Sequence, residues 1–471
     1  MNLKLETNLS LKRLSQTLLI AAFFLLVHAS IANAQEGPTG PTYIVQSGDT
    51  LSSIALRFDI AVAELISENE ISDPNSLAVG DPLILPGIDW IDGTLVLEDV
   101  DLGDSYWGLR RKYWLDEDSF VRLNRITSPN QLHFGFSTLL ASERGENLDS
   151  AREVIGAGQS LLEFALATNE NPWALVSQNQ LQGSWDTLPG DVLFTPKQTG
   201  PGPSALPSSV NSVSIENPGF VTGKTAVIRV ATDSDLVLGG DLIGHELKFF
   251  PEADGLWVAL QGIALESDEG NYELQIEGSE NGAAFASSQV IRVNGGNYQS
   301  ETLTVDDENL LAPQLSADEI VFLEELPSEA SPEKMWQGYW GAPHPYIDVI
   351  NSEYGIARSY NQASYFGFHT GVDFGGGVGI EIWAPAPGRV VFTGPVELRG
   401  NMTVIDHGWG IYSTYAHQSE ILVSVGDVVE TGQLIGKVGE SGRISGAHLH
   451  WEIWANGVPV EPMDWINLIF P

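Results

Sequence analysis

Five of the nine histidines in this 471-residue chain lie between His369 and His450, in three tight groups and one single. His369-Thr-Gly-Val-Asp373 comes first, His407 stands alone, Tyr415-Ala-His417 follows, and His448-Leu-His450 closes the set. Imidazole binds metals and moves protons near neutral pH, and carboxylate completes many metal sites. Three of these groups can coordinate a metal and two more can work beside it, which predicts a hydrolytic centre. Taken singly, each histidine reads as an ordinary core or surface residue. Their joint spacing is what departs from that reading.

Local geometry supports the grouping. Four-residue spacing suits one helix face, but Gly371 and the run Gly375-Gly376-Gly377 argue against a helix over residues 369–377. On an extended strand the same spacing also puts His369 and Asp373 on one face, because the side-chain period is two. His448 and His450 share a strand face by the same rule, with Leu449 and Trp451 turned away. Two strands of one sheet can then bring imidazole, carboxylate and imidazole together. A His/Asp/His set with a water in the remaining position is how catalytic zinc is held, and zinc lowers the pKa of that water to about 7. Histidines left outside the metal set can handle protons or stabilise a developing oxyanion.

From residue 341 to the end the chain resembles the lysostaphin/LytM-type zinc metallopeptidases. The matching stretches begin with Ser352-Glu-Tyr-Gly, Arg358, Tyr360-Asn361 and His369-Thr-Gly-Val-Asp-Phe. Ala384-Pro-Ala-Pro-Gly-Arg-Val-Val, Ile405-Asp-His-Gly and Tyr412-Ser-Thr-Tyr-Ala-His417 follow. Val425-Gly-Asp-Val-Val-Glu-Thr-Gly-Gln and Gly442-Arg-Ile-Ser-Gly-Ala-His-Leu-His-Trp-Glu complete the set. The resemblance implies one Zn2+ on His369, Asp373 and His450. It makes His417 and His448 the pair that polarises the water and supports the tetrahedral intermediate, and His407 a structural histidine. It also implies a mainly antiparallel β fold that cuts peptide bonds in the stem or cross-bridge of peptidoglycan. Glu452 shares the face of His448 and His450. It could orient an imidazole, though a solvated carboxylate is the favoured expectation.

Elements upstream supply the context. Gly48, Gly103 and Gly158 are 55 residues apart, as are Asn69, Asn124 and Asn179, and Gly80, Gly135 and Gly190. Apolar positions keep register: Leu51, Tyr106, Leu161, then Ile54, Leu109, Phe164. Each unit reads as strand–helix–helix–strand, with Thr50 or Asp49 capping a helix whose apolar face is Leu51, Ile54, Ala55 and Phe58. Leu83-Ile-Leu-Pro86 is the closing strand of the first unit. The unit resembles the LysM domain, most closely in Tyr43-Ile-Val-Gln-Ser-Gly-Asp-Thr-Leu, Asn69 and Leu77-Ala-Val-Gly80. Copies two and three keep the frame with Leu102-Gly-Asp-Ser-Tyr and Gly158-Gln-Ser-Leu. The resemblance implies binding to N-acetylglucosamine polymers such as peptidoglycan, although most of these residues are core or turn and speak first for the fold.

The expected organisation is multidomain. It comprises a signal peptide at 1–34, three small α+β (βααβ) LysM-like repeats at 41–88, 96–143 and 151–198, and a Pro/Gly/Ser linker at 199–209. An all-β immunoglobulin-like sandwich is expected at 210–298, from short alternating strands separated by Gly, Asp and Asn. A connector with a short helix runs over 299–340, capped by Ser316-Ala-Asp-Glu319. The peptidase domain occupies 341–471.

Lys12 and Arg13, the apolar run Leu18 to Val27 and Ala32-Asn33-Ala34 form the leader pattern, with the cut after Ala34. That run is too short to span a bilayer, and no transmembrane segment is expected in the mature chain. The address is the cell envelope, secreted or wall-associated. With no cysteine, a lipid-anchored lipoprotein, disulfides and thiolate chemistry are all excluded. A formal charge of −40 argues against nucleic acid, whose phosphates demand a basic surface. Nothing in the pattern bears on oligomeric state.

Three rival readings remain. Residues 425–436 also resemble half of a biotinyl carrier, but no lysine lies between Val391 and Gly436 to take the cofactor. A non-catalytic wall-binding regulator or activator of other hydrolases would need a broken site, and every ligand position here is filled. An adhesin would make the repeats the purpose of the chain.

Overall fold

The structure is a computed structural model that describes residues 40–75, 77–141, 151–155, 158–187, 192–195, 206, 209–216, 219–233, 236–280, 283–304, 313–325, 331–361 and 367–471. The expected leader at 1–34, most of the 199–209 linker and Gly190 lie outside the described residues. The chain divides into two compact units. One holds Met1–Glu98, Tyr113–Asn124 and Leu139–Glu146; the other holds Asp99–Lys112, Arg125–Thr138 and Asn147–Pro471.

In the first unit, strand Thr42–Ile44 leads to helices Leu51–Phe58 and Val62–Glu68 and returns to an antiparallel strand at Pro82–Ile84. The Thr50 hydroxyl accepts from the Ser53 amide at 3.0 Å and opens the first helix. Leu51, Ile54 and Ala55 are the buried stripe of that helix. The repeated asparagine acts as a clamp. Asn69 Nδ2 donates to the Leu65 and Ile84 carbonyls (2.9 and 2.8 Å), and its Oδ1 accepts from the Ile84 amide at 2.7 Å. Asn124 makes the same three bonds to Phe120 and Leu139. In the second unit Asn179 makes them to Leu175 and Phe194. The period of 55 therefore marks the point where the second helix of each copy is tied to its closing strand. Around Asn179, strands Ala151–Val154 and Val192–Thr195 pair antiparallel across helices Leu161–Thr168 and Pro172–Gln178.

Residues 210–293 form two four-stranded sheets around one core. Val210–Glu216, Thr225–Thr232, Leu256–Gly262 and Phe250–Ala253 are neighbours in that order. His245–Glu246, Val237–Leu242, Gly270–Glu280 and Ala283–Val293 make the other sheet. Ile228 and Val230 face the partner sheet, joining Leu274 and Ile276. Val227, Val258 and Leu260, on the opposite face by the two-residue period, join the core of the last domain. His245–Glu246 and Phe250–Ala253 lie in different sheets, so the chain crosses from one to the other between them.

The last domain is built on an eight-stranded sheet. Its strands are β1 (Ile350–Ser352), β2 (Val372–Gly375), β3 (Gly388–Val396), β4 (Gly400–Gly408), β5 (Ile411–Ala416), β6 (Val428–Val429), β7 (His448–Ala455) and β8 (Val458–Val460). The order is β1-β2-β7-β5-β4-β3-β6, with β8 on β7. A smaller sheet of Glu381–Trp383, Leu434–Val438 and Gln418–Ile421 accompanies it. Trp336, Trp340, Trp409, Trp451, Trp465 and Phe374 fill the core.

The described parts of 299–340 belong to this domain's structure. Ser300–Leu303 pairs in parallel with Ala357–Tyr360, and Trp336 and Trp340 are buried in the domain core. Helix Pro313–Glu325 begins at Pro313, a residue favoured in a first helical turn. Ser316 and Glu319 therefore sit inside the helix and not at its start, which corrects the expected capping box. Leu323 packs against Met402, Val404, Tyr412 and Trp454.

His407 lies in the core, as a structural histidine would. Its Nδ1 donates to the Pro387 carbonyl (2.8 Å), its Nε2 meets the Ser413 hydroxyl (2.7 Å), and its ring packs on Trp340. Burial pushes its pKa down from 6.5 to about 4, outweighing the opposing bond to Pro387.

Two outcomes are expected. Asn69→Ala strands the Ile84 amide and should cost the first repeat about 1–3 kcal/mol, read as faster amide exchange at residues 83–85. His407 stays neutral in the fold while the unfolded chain protonates first. Its contribution is thus fully present above about pH 6.5 and lost as pH falls towards about 4. His407→Gln should be less stable at neutral pH and lose less of its stability across that window in urea titrations.

Candidate active site

The site is set by register. β2 and β7 pair antiparallel with Asp373 directly opposite His450 and Gly375 opposite His448. β5 pairs with the other edge of β7, placing Ala416 opposite His450 and His417 just beyond the strand end. His448 and His450 share one β7 face, as their spacing predicts. His369 differs from expectation: it follows the short strand Gly367–Phe368 and precedes β2, so a turn delivers it to the site. Gly371 lies in that turn. A Cβ there would stand 2.5 Å from the Trp451 carbonyl and 2.8 Å from His450 Cε1, so only glycine leaves room for the ring.

Three ligand atoms converge. His369 Nε2 and His450 Nδ1 are 3.0 Å apart, and Asp373 Oδ1 is 3.0 Å from the first and 2.8 Å from the second. The outer ring nitrogens fix the tautomers. His369 Nδ1 is 2.7 Å from the Glu353 carbonyl, which can only accept, so Nδ1 carries the proton. His450 Nε2 is 2.9 Å from the Glu452 carboxylate and donates to it. With both rings neutral, two lone pairs and a carboxylate oxygen meet with no hydrogen among them. Such a donor set fits a divalent cation of borderline softness. The three residues are buried and are the one group of this kind found among the described residues.

The surroundings shift the three groups in different directions. Burial alone would raise the Asp373 pKa, but His369 and His450 hold the carboxyl well below its ordinary range. Burial lowers His369 despite Asp373 beside it. At His450 burial also favours the neutral ring, yet Glu452 and Asp373 outweigh it and raise the pKa.

His417 and His448 stand beside this group on the wall of a cleft of about 430 Å³, with ring centroids 4.9 Å apart. Their Nδ1 atoms donate to the Ser441 and Gly446 carbonyls, each at 2.7 Å, which leaves both Nε2 lone pairs unprotonated. Burial, then the neighbouring His448 and His450, lower His417 from 6.5 to about 3. Burial lowers His448 as well, against the pull of Asp373. His417 has φ of 57°, a left-handed backbone uncommon for a non-glycine residue. Such strain is retained where surroundings enforce it, here including the His417 amide's bond to the Arg399 carbonyl at 2.8 Å.

Glu452 corrects the expectation of a solvated carboxylate. It is fully buried and takes bonds from His450, Arg399 (2.7 Å), Thr370 (2.6 Å), Thr414 (2.8 Å) and Trp454 (3.0 Å). The run His-Thr-Gly-Val-Asp thus supplies a candidate ligand, a tie to Glu452, room for His450, a core residue and a second candidate ligand. Arg358 and Arg399 also touch the site's carboxylates and had no assigned role in the sequence. Arg358 Nη2 donates to Asp373 Oδ2 at 2.8 Å.

Comparison with known proteins matches residues 367–462 to the model described as peptidase family M23. Residues 43–86 and 100–136 match the LysM domain model. Among curated proteins, the chain is 37% identical over 114 residues to the peptidoglycan DD-endopeptidase ShyA of Vibrio cholerae, covering 24% of this chain and 26% of that one. It is 40% identical over 96 residues to the DD-carboxypeptidase/endopeptidase Mpg of Neisseria meningitidis, covering 20% and 22%. The chain thus spans about a quarter of the length of these relatives. A solved structure titled as a putative peptidase M23 from Pseudomonas aeruginosa aligns at 24% identity and a TM-score of 0.39, covering 52% of this chain and 94% of that one. Residues 367–462, where β2, β5 and β7 bring the histidines together, are a peptidase family M23 domain, carried in one chain with LysM domains at 43–86 and 100–136.

Proposed function

We propose that this protein is a secreted zinc-dependent endopeptidase that hydrolyses peptide bonds in the stem or cross-bridge of peptidoglycan. The observation that carries the reading is the convergence of His369 Nε2, Asp373 Oδ1 and His450 Nδ1 beside two neutral imidazoles in one cleft. His369, Asp373 and His450 would hold Zn2+, which when bound lowers the pKa of water and polarises a carbonyl.

The remaining roles fall to the chain's own groups. His417 and His448 present unprotonated Nε2 atoms, and either can take a proton from the attacking water. Once protonated, that nitrogen becomes a donor to the developing oxyanion and can pass the proton to the leaving amine. Glu452 holds the His450 ring and its tautomer, and Arg358 keeps Oδ2 of Asp373 occupied so that Oδ1 faces the metal position.

The LysM domains favour retention on glycan, and the 151–198 unit, with its Asn179 clamp, supports reading it as a third repeat. The strand order of the two sheets over 210–293 supports an immunoglobulin-like spacer at 210–298. A regulator that has lost its chemistry is disfavoured, since no ligand is missing.

His448→Gln should lower turnover of purified peptidoglycan by about 10²- to 10⁴-fold while the metal stays bound. His450→Ala should lose both metal and turnover. Mass spectrometry of the products names the bond, and equal digestion by wild type and His450→Ala would sink the enzyme reading. Removing residues 35–197 should weaken retention on insoluble peptidoglycan in a pull-down, and undiminished retention counts against wall binding by the repeats.

A further inference from the structure

Two part-buried relays run from the segment ahead of the M23 domain to the metal position. In one, Glu301 Oε1 accepts from Arg358 Nε (2.7 Å), and Arg358 Nη2 donates to Asp373 Oδ2 (2.8 Å). Ser352 bridges the pair, donating to Glu301 at 3.0 Å and accepting from Arg358 at 2.7 Å. In the other, Glu319 Oε2 accepts from Arg399 Nη1 (3.2 Å), Arg399 Nη2 donates to Glu452 Oε1 (2.7 Å), and Glu452 accepts from His450 Nε2 (2.9 Å). Glu319 also accepts from the Leu398 amide. Both relays have the same grammar: a glutamate, an arginine, then the carboxylate that is a metal-site residue or holds one. Both glutamates lie outside residues 367–462, on strand Ser300–Leu303 and on helix Pro313–Glu325.

We propose that Glu301 and Glu319 are positioning residues for the metal site, so that strand Ser300–Leu303 and helix Pro313–Glu325 are working parts of it. This rests on the metal reading of the previous section. The reason is charge. A guanidinium beside a cation site opposes the cation, and in a poorly solvated setting that opposition is weakly screened. Arg358 and Arg399 have side chains only 12% and 11% exposed, so solvent relieves little of it. A glutamate on the far side of each arginine cancels its charge while leaving its hydrogen bonds in place. The arginines can then lock Asp373 Oδ2 and Glu452 without repelling the metal. Geometry contributes too: Glu319 ties the amide of Leu398 beside Arg399, whose carbonyl holds the strained His417 backbone.

The test uses the full-length chain and zinc with a chromogenic chelator as competitor. Glu301→Gln and Glu319→Gln keep the shape and remove the charge. Each should weaken zinc retention by about tenfold, the lower end of the loss seen when a ligand's outer partner is changed. The double variant should approach about a hundredfold if the relays act independently. The visible spectrum of the cobalt-substituted protein should shift in Glu319→Gln, reporting the altered His450. Leu323→Ala, on the same helix but outside the relay, should lower the thermal midpoint and hold zinc within about twofold of wild type. Wild-type zinc retention and cobalt spectra in both glutamine variants overturn the inference. So does Leu323→Ala loosening zinc as much as Glu319→Gln, which would make helix docking the cause. The two readings fail separately: a zinc-binding wild type that leaves peptidoglycan uncut counts against the peptidase alone.

Discussion

The antiparallel pairing of β2 with β7 is the constraint on which the site depends. It sets Asp373 opposite His450, where the side chains of a cross-strand pair meet on one face. A slip of one residue in either strand would turn its member of the pair to the other side and bring Phe374 or Trp451 out of the core. Because Phe374, Leu449 and Trp451 are fully buried among the domain's aromatics, the register that packs the core is also the one that gathers the ligands. Folding and site assembly are therefore one event in these two strands. β5 adds His417 only because β7 is central and offers its second edge.

The neighbouring histidines show how one fold gives identical side chains different work. His407 has both nitrogens bonded within the core and is a structural group. His417 and His448 have one nitrogen tied to a carbonyl and the other facing the cleft. His369 and His450 are tied at the outer nitrogen and turned inward on Asp373. In each case the hydrogen bond at the far nitrogen assigns the role, by fixing which lone pair remains.

Periodicity carried much of this into the sequence. Alternation made His448 and His450 legible as one strand face, and the period of 55 made Asn69, Asn124 and Asn179 legible as equivalent before their clamp was visible. Resemblance to a family, not spacing, distinguishes His450 as the expected ligand from His448. What could not be read were contacts that depend on tertiary packing. Glu452 looks like any strand carboxylate until Arg399, Thr370, Thr414 and Trp454 close around it. Ser316-Ala-Asp-Glu319 fits a capping box locally, but Pro313 starts the helix and Glu319 is drawn to Arg399, 80 residues away. Period two allows His369 on a strand, whereas a turn through Gly371 makes the delivery. Gly239 and Gly240 interrupt the apolar signal of strand Val237–Leu242.

The charges explain why so many ionisable groups can be buried together. An isolated charge in such a place is costly, and a pair repays that cost only when its partners are well bonded. Here the signs alternate along both relays: Glu301, Arg358, Asp373 on one, and Glu319, Arg399, Glu452 on the other. Each charge faces its opposite, and the buried Glu452 has every oxygen occupied. Both sequences begin and end on a carboxylate, so each carries one more negative charge than positive. Asp373 turns that surplus towards the cleft directly, and Glu452 does so through the His450 ring. A cation held where His369, Asp373 and His450 meet, as proposed above, would complete the alternation.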